Sequence, residues 1–390
     1  MEASGSGSGQ SKSQTLIENI LILGLRRSGK SSIVEVVYKS LPPDDSLFLE
    51  STLKCTPFDV NTIQPVRIWD GTGNAESSAL TAQQSQGSQA RTSKSAGNGS
   101  GQSSGNTTKS VKGKHAWGTG GQLFWVDTSA VIFVIDSQDD FYDAIDRLND
   151  VIIDAYSHNP LIQFHIFVHK VDGHSTDYRY DTLQNIQSRV CPAHPIPLVH
   201  MNQTLLLPLF GPDLERDVRL SFHATSIYNP SVFVAVSRVQ MGLMNSDVSR
   251  TLEDMCNGLA HSCKFEKVYL FDVPTKTYIS ADSSPYDENN FEAISEYLNF
   301  LVQFSGLYGS LANEQIQKES DKGTDREVRY SASIVRLSPD TTLGFHQINH
   351  HMALAFIMRT DIHTKHAGMI DFNIAIARKA IIDIYDTCRS

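Results

Sequence analysis

The chain has 390 residues, 40% of them hydrophobic, with a formal net charge of -10. That length and apolar content suffice for two domains with sizeable cores. An acidic chain has no basic surplus to displace counterions from a phosphate backbone, so a general nucleic-acid binder is excluded and no nucleic acid is expected as a partner.

Residues 1–15 form a Ser/Gly-rich tail without the apolar core of a secretory signal. Position 2 is Glu, which removes the signal for myristoylation, and Cys388, third from the end, does not fit a prenylation box. No run of 18 apolar residues occurs, so no direct membrane insertion is expected and membrane association would come through a partner. The five cysteines (Cys55, Cys191, Cys256, Cys263 and Cys388) form no C-x-x-C pair. Neither zinc nor a disulfide framework is indicated, which fits a reducing compartment.

From residue 16 the chain reads as a nucleotide-binding domain. Ile20-Leu21-Ile22-Leu23 is an unbroken apolar run, as for a strand covered on both faces. Gly24-Leu25-Arg26-Arg27-Ser28-Gly29-Lys30-Ser31-Ser32 follows and matches G-x-x-x-x-G-K-S, a phosphate-binding loop. The two glycines permit turns that a Cβ hinders, and successive amides point inward at phosphate oxygens. Lys30 supplies a mobile ammonium for the β and γ phosphates, and Ser31 offers a hydroxyl to Mg²⁺. Ile33, Val36, Val37 and Leu41 then mark one face of a helix ended by Pro42-Pro43.

Leu47 to Thr52 is a loop leading to a second strand, and Val66–Asp70 is a short strand ending in a carboxylate. Thr52 and Asp70 are the further candidates for Mg²⁺, Asp70 through water. Residues 71–122 are then rich in Gly, Ser, Gln, Thr, Asn and Ala. Such a stretch cannot bury enough surface to offset its ordering entropy. It reads either as a disordered insert or as a retained intron in the gene model. GTPases place a glutamine shortly after the strand-end Asp to orient the attacking water. Here Gln122, displaced beyond the insert, is the candidate. Arg26 and Arg27 put bulk where the γ-phosphate is approached, so slow turnover is expected.

Ala130–Asp136 is a second fully apolar strand, and Ala144, Ile145, Leu148, Ile152 and Tyr156 mark a helix face. Phe164–Val168 is the next strand, running into His169-Lys170-Val171-Asp172-Gly173. Guanine presents two neighbouring donors, N1–H and the 2-amino group, and a carboxylate accepts both in a fork. Adenine offers an acceptor at N1, so Asp172 favours guanine. The Lys170 stem would cover the base plane. A helix near 180–190 precedes a Pro-rich irregular segment, 191–213. Leu220–Ala224 is a strand ending at Thr225-Ser226-Ile227-Tyr228, where the Ser226 and Ile227 backbone could donate to the guanine oxygen. Phe233, Val236, Val239 and Leu243 mark a further helix. Alternating strands and helices predict a doubly wound parallel sheet.

A second domain, 249–390, follows. Lys267–Val273 and Thr277–Ala281 flank Pro274 as a hairpin, and residues 290–304 give a helix. Residues 313–327 read as a solvated loop. Ser331–Leu337, Thr342–Ile348 and Met352–Ile357 suggest strands, and Ile370–Tyr385 a closing helix. The fold class expected is α/β for the first domain and a small antiparallel α+β unit for the second, with no catalytic constellation in the latter. The histidines lack the spacing of metal ligands.

The tracts G-L-R-R-S-G-K-S-S (24–32), L-F-L-E-S-T (47–52), V-I-D-S-Q-D-D (134–140) and H-K-V-D-G (169–173) together resemble the Rag/Gtr GTPases, within them the RagC/RagD branch. T-S-I-Y (225–228), the tract from Phe271 to Pro285 and G-M-I-D-F-N (368–373) extend the resemblance. It implies a Ras-like P-loop GTPase domain, 16–248, followed by a roadblock-type dimerisation domain. GTP/GDP and Mg²⁺ are the implied cofactors. The implied nucleotide-binding residues are Arg26, Arg27, Ser28, Gly29, Lys30, Ser31, Ser32, Thr52, His169, Lys170, Asp172, Ser226 and Ile227. It further implies a heterodimer with a RagA/RagB-like partner through the C-terminal domains. That dimer would signal amino-acid sufficiency to the target-of-rapamycin complex from a scaffold complex on the lysosomal or vacuolar membrane, with the GDP-bound form active. The sequence departs from the family pattern after Asp70, so a non-hydrolysing GTP/GDP-binding scaffold subunit stands as the alternative to a slow GTPase.

Overall fold

The computed structural model describes residues 17–71 apart from 54 and 56, then 115–117, 123–190, 204–208, 217–319 and 332–389. The first unit opens with β1 (Glu18–Gly24), α1 (Lys30–Lys39), β2 (Pro57–Val60) and β3 (Val66–Asp70). Two short strands pair with each other, β4 (His115–Trp117) and β5 (Leu123–Phe124). Then come β6 (Ala130–Asp136), α2 (Tyr142–His158), β7 (Gln163–His169), α3 (Thr176–Val190), β8 (Thr204–Pro208), β9 (Asp217–Thr225) and α4 (Ser231–Leu243).

The main sheet has seven strands in the order β2-β3-β1-β6-β7-β9-β8. Strands β3, β1, β6, β7 and β9 are mutually parallel, and β2 and β8 are antiparallel edges. The unbroken apolar runs follow from helices on both faces. Ile20 and Ile22 of β1, with Ala130, Ile132 and Val134 of β6, pack under α1 and α4. Their neighbours Leu21, Leu23, Val131, Phe133 and Ile135 point the other way, under α2 and α3. Chain order reverses around β1, and the site lies at that switch point.

The second unit contains α5 (Ser246–Cys263), β10 (Phe265–Asp272), β11 (Thr277–Ala281), α6 (Glu288–Glu319), β12 (Ala332–Arg336), β13 (Thr341–Gln347), β14 (Met352–Arg359) and α7 (Thr360–Arg389). Its five-stranded sheet, β11-β10-β14-β13-β12, is antiparallel throughout. One face packs on α5 and α7, the other on α6. Among the described residues no helix is long and apolar enough to cross a membrane.

Four local expectations are corrected. Helix α1 stops at Lys39, because Ser40 turns left-handed (φ 55°) and its N–H bonds Glu35 O, so Leu41 lies beyond it. Segment 191–213 contains edge strand β8, where Pro208 is tolerated because an edge leaves backbone N–H groups unused. Helix α6 runs on to Glu319, past the start of the expected loop at residue 313. Helix α5 starts at Ser246 under the Asn245 cap, so residue 248 lies in its first turn. The sequence reading missed α5, whose buried stripe is Leu252, Cys256, Leu259 and Cys263, half of it cysteine.

Helix α4 joins the units. Val234 sits in the second unit's core beside Tyr269, Phe271 and Phe291. The Ser237 hydroxyl donates to Phe233 O (2.6 Å) and accepts the Tyr278 N–H (2.9 Å). Thr277 Oγ1 donates to Gln240 Oε1 at 3.0 Å, and the hydroxyls of Thr277 and Thr275 lead on to Asp272. Ser237→Ala would strand the buried Tyr278 N–H. It is expected to destabilise the protein by about 1–3 kcal/mol, seen in urea unfolding as a lower midpoint with the slope unchanged.

Candidate functional site

The turn between β1 and α1 is built by its glycines. Gly24 (φ 144°) and Gly29 (φ 99°) occupy backbone regions that L side chains avoid. A Cβ at Gly24 would meet Val134 O at 2.3 Å, and one at Gly29 the His169 ring at 2.5 Å. Lys30, only 6% exposed, folds back over the turn, its ammonium donating to Gly24 O (3.0 Å) and Leu25 O (2.7 Å). Burial pushes Lys30 down to about 8, against the pull of Asp70.

Three side chains from separate segments meet beside it. Ser31 Oγ donates to Asp70 Oδ2 at 2.7 Å and lies 2.6 Å from Thr52 Oγ1, which is 3.3 Å from the same carboxylate oxygen. Asp70 Oδ1 is buried with no protein partner. Burial raises the Asp70 carboxyl above its ordinary value, and the Ser31 hydroxyl and Lys30 oppose the rise. Two hydroxyls and a carboxylate with an orphaned oxygen are a donor set that suits Mg²⁺ with retained waters. Among the described residues no group of three or more His, Cys, Asp or Glu gathers as a metal site.

The far end is built by the turns after β7 and β9. Asp172 Oδ1 accepts the Ser226 hydroxyl at 2.5 Å, and Tyr228 N–H donates to the same hydroxyl at 3.1 Å. The Lys170 ammonium bonds Arg27 O at 2.8 Å and the Asp136 carboxylate, so it ties the base-end turn to the phosphate loop. His169 is buried with Nδ1 3.0 Å from Thr225 Oγ1, and burial pushes it down to about 4, so it is neutral at pH 7.

A cavity of about 540 Å³ connects the two ends. Of the sequence-derived residues, Arg26, Arg27, Gly29, Lys30, Ser31, Ser32, Thr52, His169, Lys170, Asp172 and Ile227 line it. Asp70 sits behind Ser31 and Thr52. Ser28 is buried beneath the loop, its N–H directed to Leu25 O and its hydroxyl without a partner. Ser226 is corrected as a base contact: it is fully buried, and its N–H is taken by Ser231 Oγ (2.9 Å). Its hydroxyl holds Asp172 instead, which leaves Ile227 at the wall. Gln122 lies outside the described residues. The sequence reading missed Asp136 and Gln138, although the strand-end carboxylate at Asp136 was visible as the close of an apolar run.

A phosphate loop at the switch point of a parallel sheet, a hydroxyl–carboxylate cluster and a base-end carboxylate define a P-loop nucleotide-binding protein of the G-protein class. The chain belongs to the Rag/Gtr family of G proteins. The family model "Gtr1/RagA G protein conserved region" matches residues 19–88 and 119–298. The chain is 31% identical over 369 residues to "GTP-binding protein gtr2" of Schizosaccharomyces pombe, covering 94% of this chain and 97% of that protein. It is 32% identical over 371 residues to human "Ras-related GTP-binding protein C", covering 94% and 76%. To "GTP-binding protein GTR2" of Saccharomyces cerevisiae it is 30% identical over 375 residues, covering 95% and 94%. These relatives place it with the Gtr2 and RagC/RagD branch as a Rag-type GTP-binding subunit.

The depressed Lys30 pKa has a signed consequence. Between about 8 and the ordinary 10.5 the unfolded chain binds more protons than the folded one, so stability from this group rises with pH in that window and is flat below it. In nucleotide-free protein, the stability difference between wild type and Lys30→Met is expected to grow in favour of wild type as pH climbs through that window. Chemical unfolding at a series of pH values measures it.

Proposed function

We propose that this chain is the guanine-nucleotide-binding switch subunit of a Rag-type heterodimer, hydrolysing GTP slowly and relaying amino-acid sufficiency to the target-of-rapamycin complex. The observation that carries this reading is the single cavity joining the Lys30 loop, the Ser31–Thr52–Asp70 cluster and Asp172. The partner in this reading is a RagA/RagB-like GTPase, engaged through the C-terminal unit. The place is the cytosol and the cytosolic face of the lysosomal or vacuolar membrane, reached through a scaffold complex.

Within the cavity the roles divide by chemistry. Lys30 and the loop amides would hold the phosphates, and Ser31 and Thr52 with Asp70 behind them would hold Mg²⁺, which would supply neutralisation of the phosphate charge. Asp172, fixed by Ser226, keeps lone pairs for the two guanine donors. Ile227 offers a backbone group at the same end. Loops ordered around the γ-phosphate and relaxed after its loss make the switch.

A second reading is a GTP/GDP-binding scaffold subunit that does not hydrolyse. It follows from the departure of the sequence from the family pattern after Asp70; Gln138, the one glutamine among the described lining residues, donates its amide N–H to Lys170 O at 2.8 Å and is held toward that turn. Single-turnover GTP hydrolysis by the purified heterodimer decides: cleavage above background supports the switch, and tight GTP binding without cleavage supports the scaffold.

The base assignment has its own test. Asp172→Asn removes the charged fork, and xanthine carries a carbonyl where guanine carries the 2-amino group. The variant is expected to bind GDP about 100-fold more weakly and to gain affinity for xanthosine diphosphate, measured by calorimetric titration. An unchanged GDP affinity would sink the assignment.

A further inference from the structure

The turn after β6 grips Lys170 at both its ends. Asp136 closes β6 and receives the Lys170 ammonium on Oδ2, while its Oδ1 accepts the Gln138 N–H at 2.9 Å. The Gln138 amide donates to Lys170 O at 2.8 Å. Between them, Ser137 N–H donates to His169 O at 2.9 Å, and His174 Nε2 lies 2.9 Å from Ser137 O. Three consecutive residues thus fasten the turn after β7.

Lys170 needs such fastening. Its φ of 64° lies in the left-handed region, where a residue with a Cβ stays only if its surroundings over-determine it. The Asp136 and Lys170 side chains are 17% and 34% exposed, so the pair is drier than a surface ion pair and less screened. The same ammonium reaches Arg27 O in the phosphate loop. Asp136 therefore aims a group that bridges the two halves of the cavity. Gly173 guards the second grip: a Cβ there would meet Gln138 Nε2 at 2.3 Å and push the amide away.

We propose that Asp136 and Gln138 are positioning residues that lock Lys170 across the cavity, Asp136 through its ammonium and Gln138 through its carbonyl, and so set how long a guanine nucleotide stays bound. The inference rests on the guanine-nucleotide reading of the cavity and goes beyond it by assigning the control of residence time to the turn after β6.

The test follows release of a fluorescent GDP analogue from the full-length protein. Asp136→Ala is expected to speed release about tenfold, and Asp136→Asn, which keeps an acceptor without the charge, by less. In a Lys170→Ala background Asp136→Ala should add less than about twofold, because its partner is gone. Gly173→Ala should speed release in the wild-type background and have no effect once Gln138→Ala is present. These non-additivities are readouts that general loosening of the fold does not produce. Equal acceleration by Asp136→Ala with and without Lys170 would overturn the positioning role. So would an unchanged release rate in Asp136→Ala or in Lys170→Ala while wild type binds GDP tightly, and that result would leave the guanine reading standing. Failure of wild type to bind GDP in preference to ADP would remove both.

Discussion

Five parallel strands end on one edge of the main sheet, and the site depends on that shared edge. Each strand delivers one group there: Gly24 from β1, Asp70 from β3, Asp136 from β6, His169 from β7 and Thr225 from β9. Register fixes their spacing, because Ile22 pairs with Asp70, Gly24 with Val134, Asp136 with His169 and His169 with Thr225. The turns that follow are thereby held side by side, and short side chains suffice to bond one to the next. A shift of one residue in any strand would turn its apolar set to the opposite face as well as misplace its terminal group.

The electrostatics follow from the same crowding. Lys30 is buried and Asp70 half-buried, and burial disfavours the charged form of each. They offset one another only in part, and an anion with a divalent cation would complete the balance. His169 is kept neutral, so it serves as a wall for Gly29 and adds no charge. Lys170, with Asp136 on one side and a carbonyl on the other, is the cation that stays paired at the outer end. A buried inner cation and a paired outer one divide the positive charge of one cavity between two lysines.

Much of this was legible in the residues. Strand β6 stands where its apolar run puts it, since a run covered on both faces leaves little freedom in its limits, and β3 spans the expected Val66–Asp70. The structure gathers Ser31, Thr52 and Asp70 beside the phosphate loop and sets Asp172 at the far end of the cavity; the sequence singled these residues out because their chemistry demands particular residue types at particular places along the chain. Ser226 was misread because hydroxyl and amide donors look alike in sequence, and only the fold shows which one its neighbours Asp172 and Ser231 consume. Gln138 was invisible because its partner, a carbonyl 32 positions away, has no sequence signature. Helix α5 escaped because cysteines stood in for the expected leucines along its inner stripe.

Helix α4 begins just after the base-end turn, and its flank is set into the second unit through Val234, Ser237 and Gln240. The separation at Met244 and Asn245 is therefore one of chain path more than of cohesion. A fragment cut there would carry a bare apolar side chain and unpaired polar groups on its outside, and the remainder would lose the cover over Tyr278 and Thr277. Among the described residues the two units therefore share core packing and hydrogen bonds along α4.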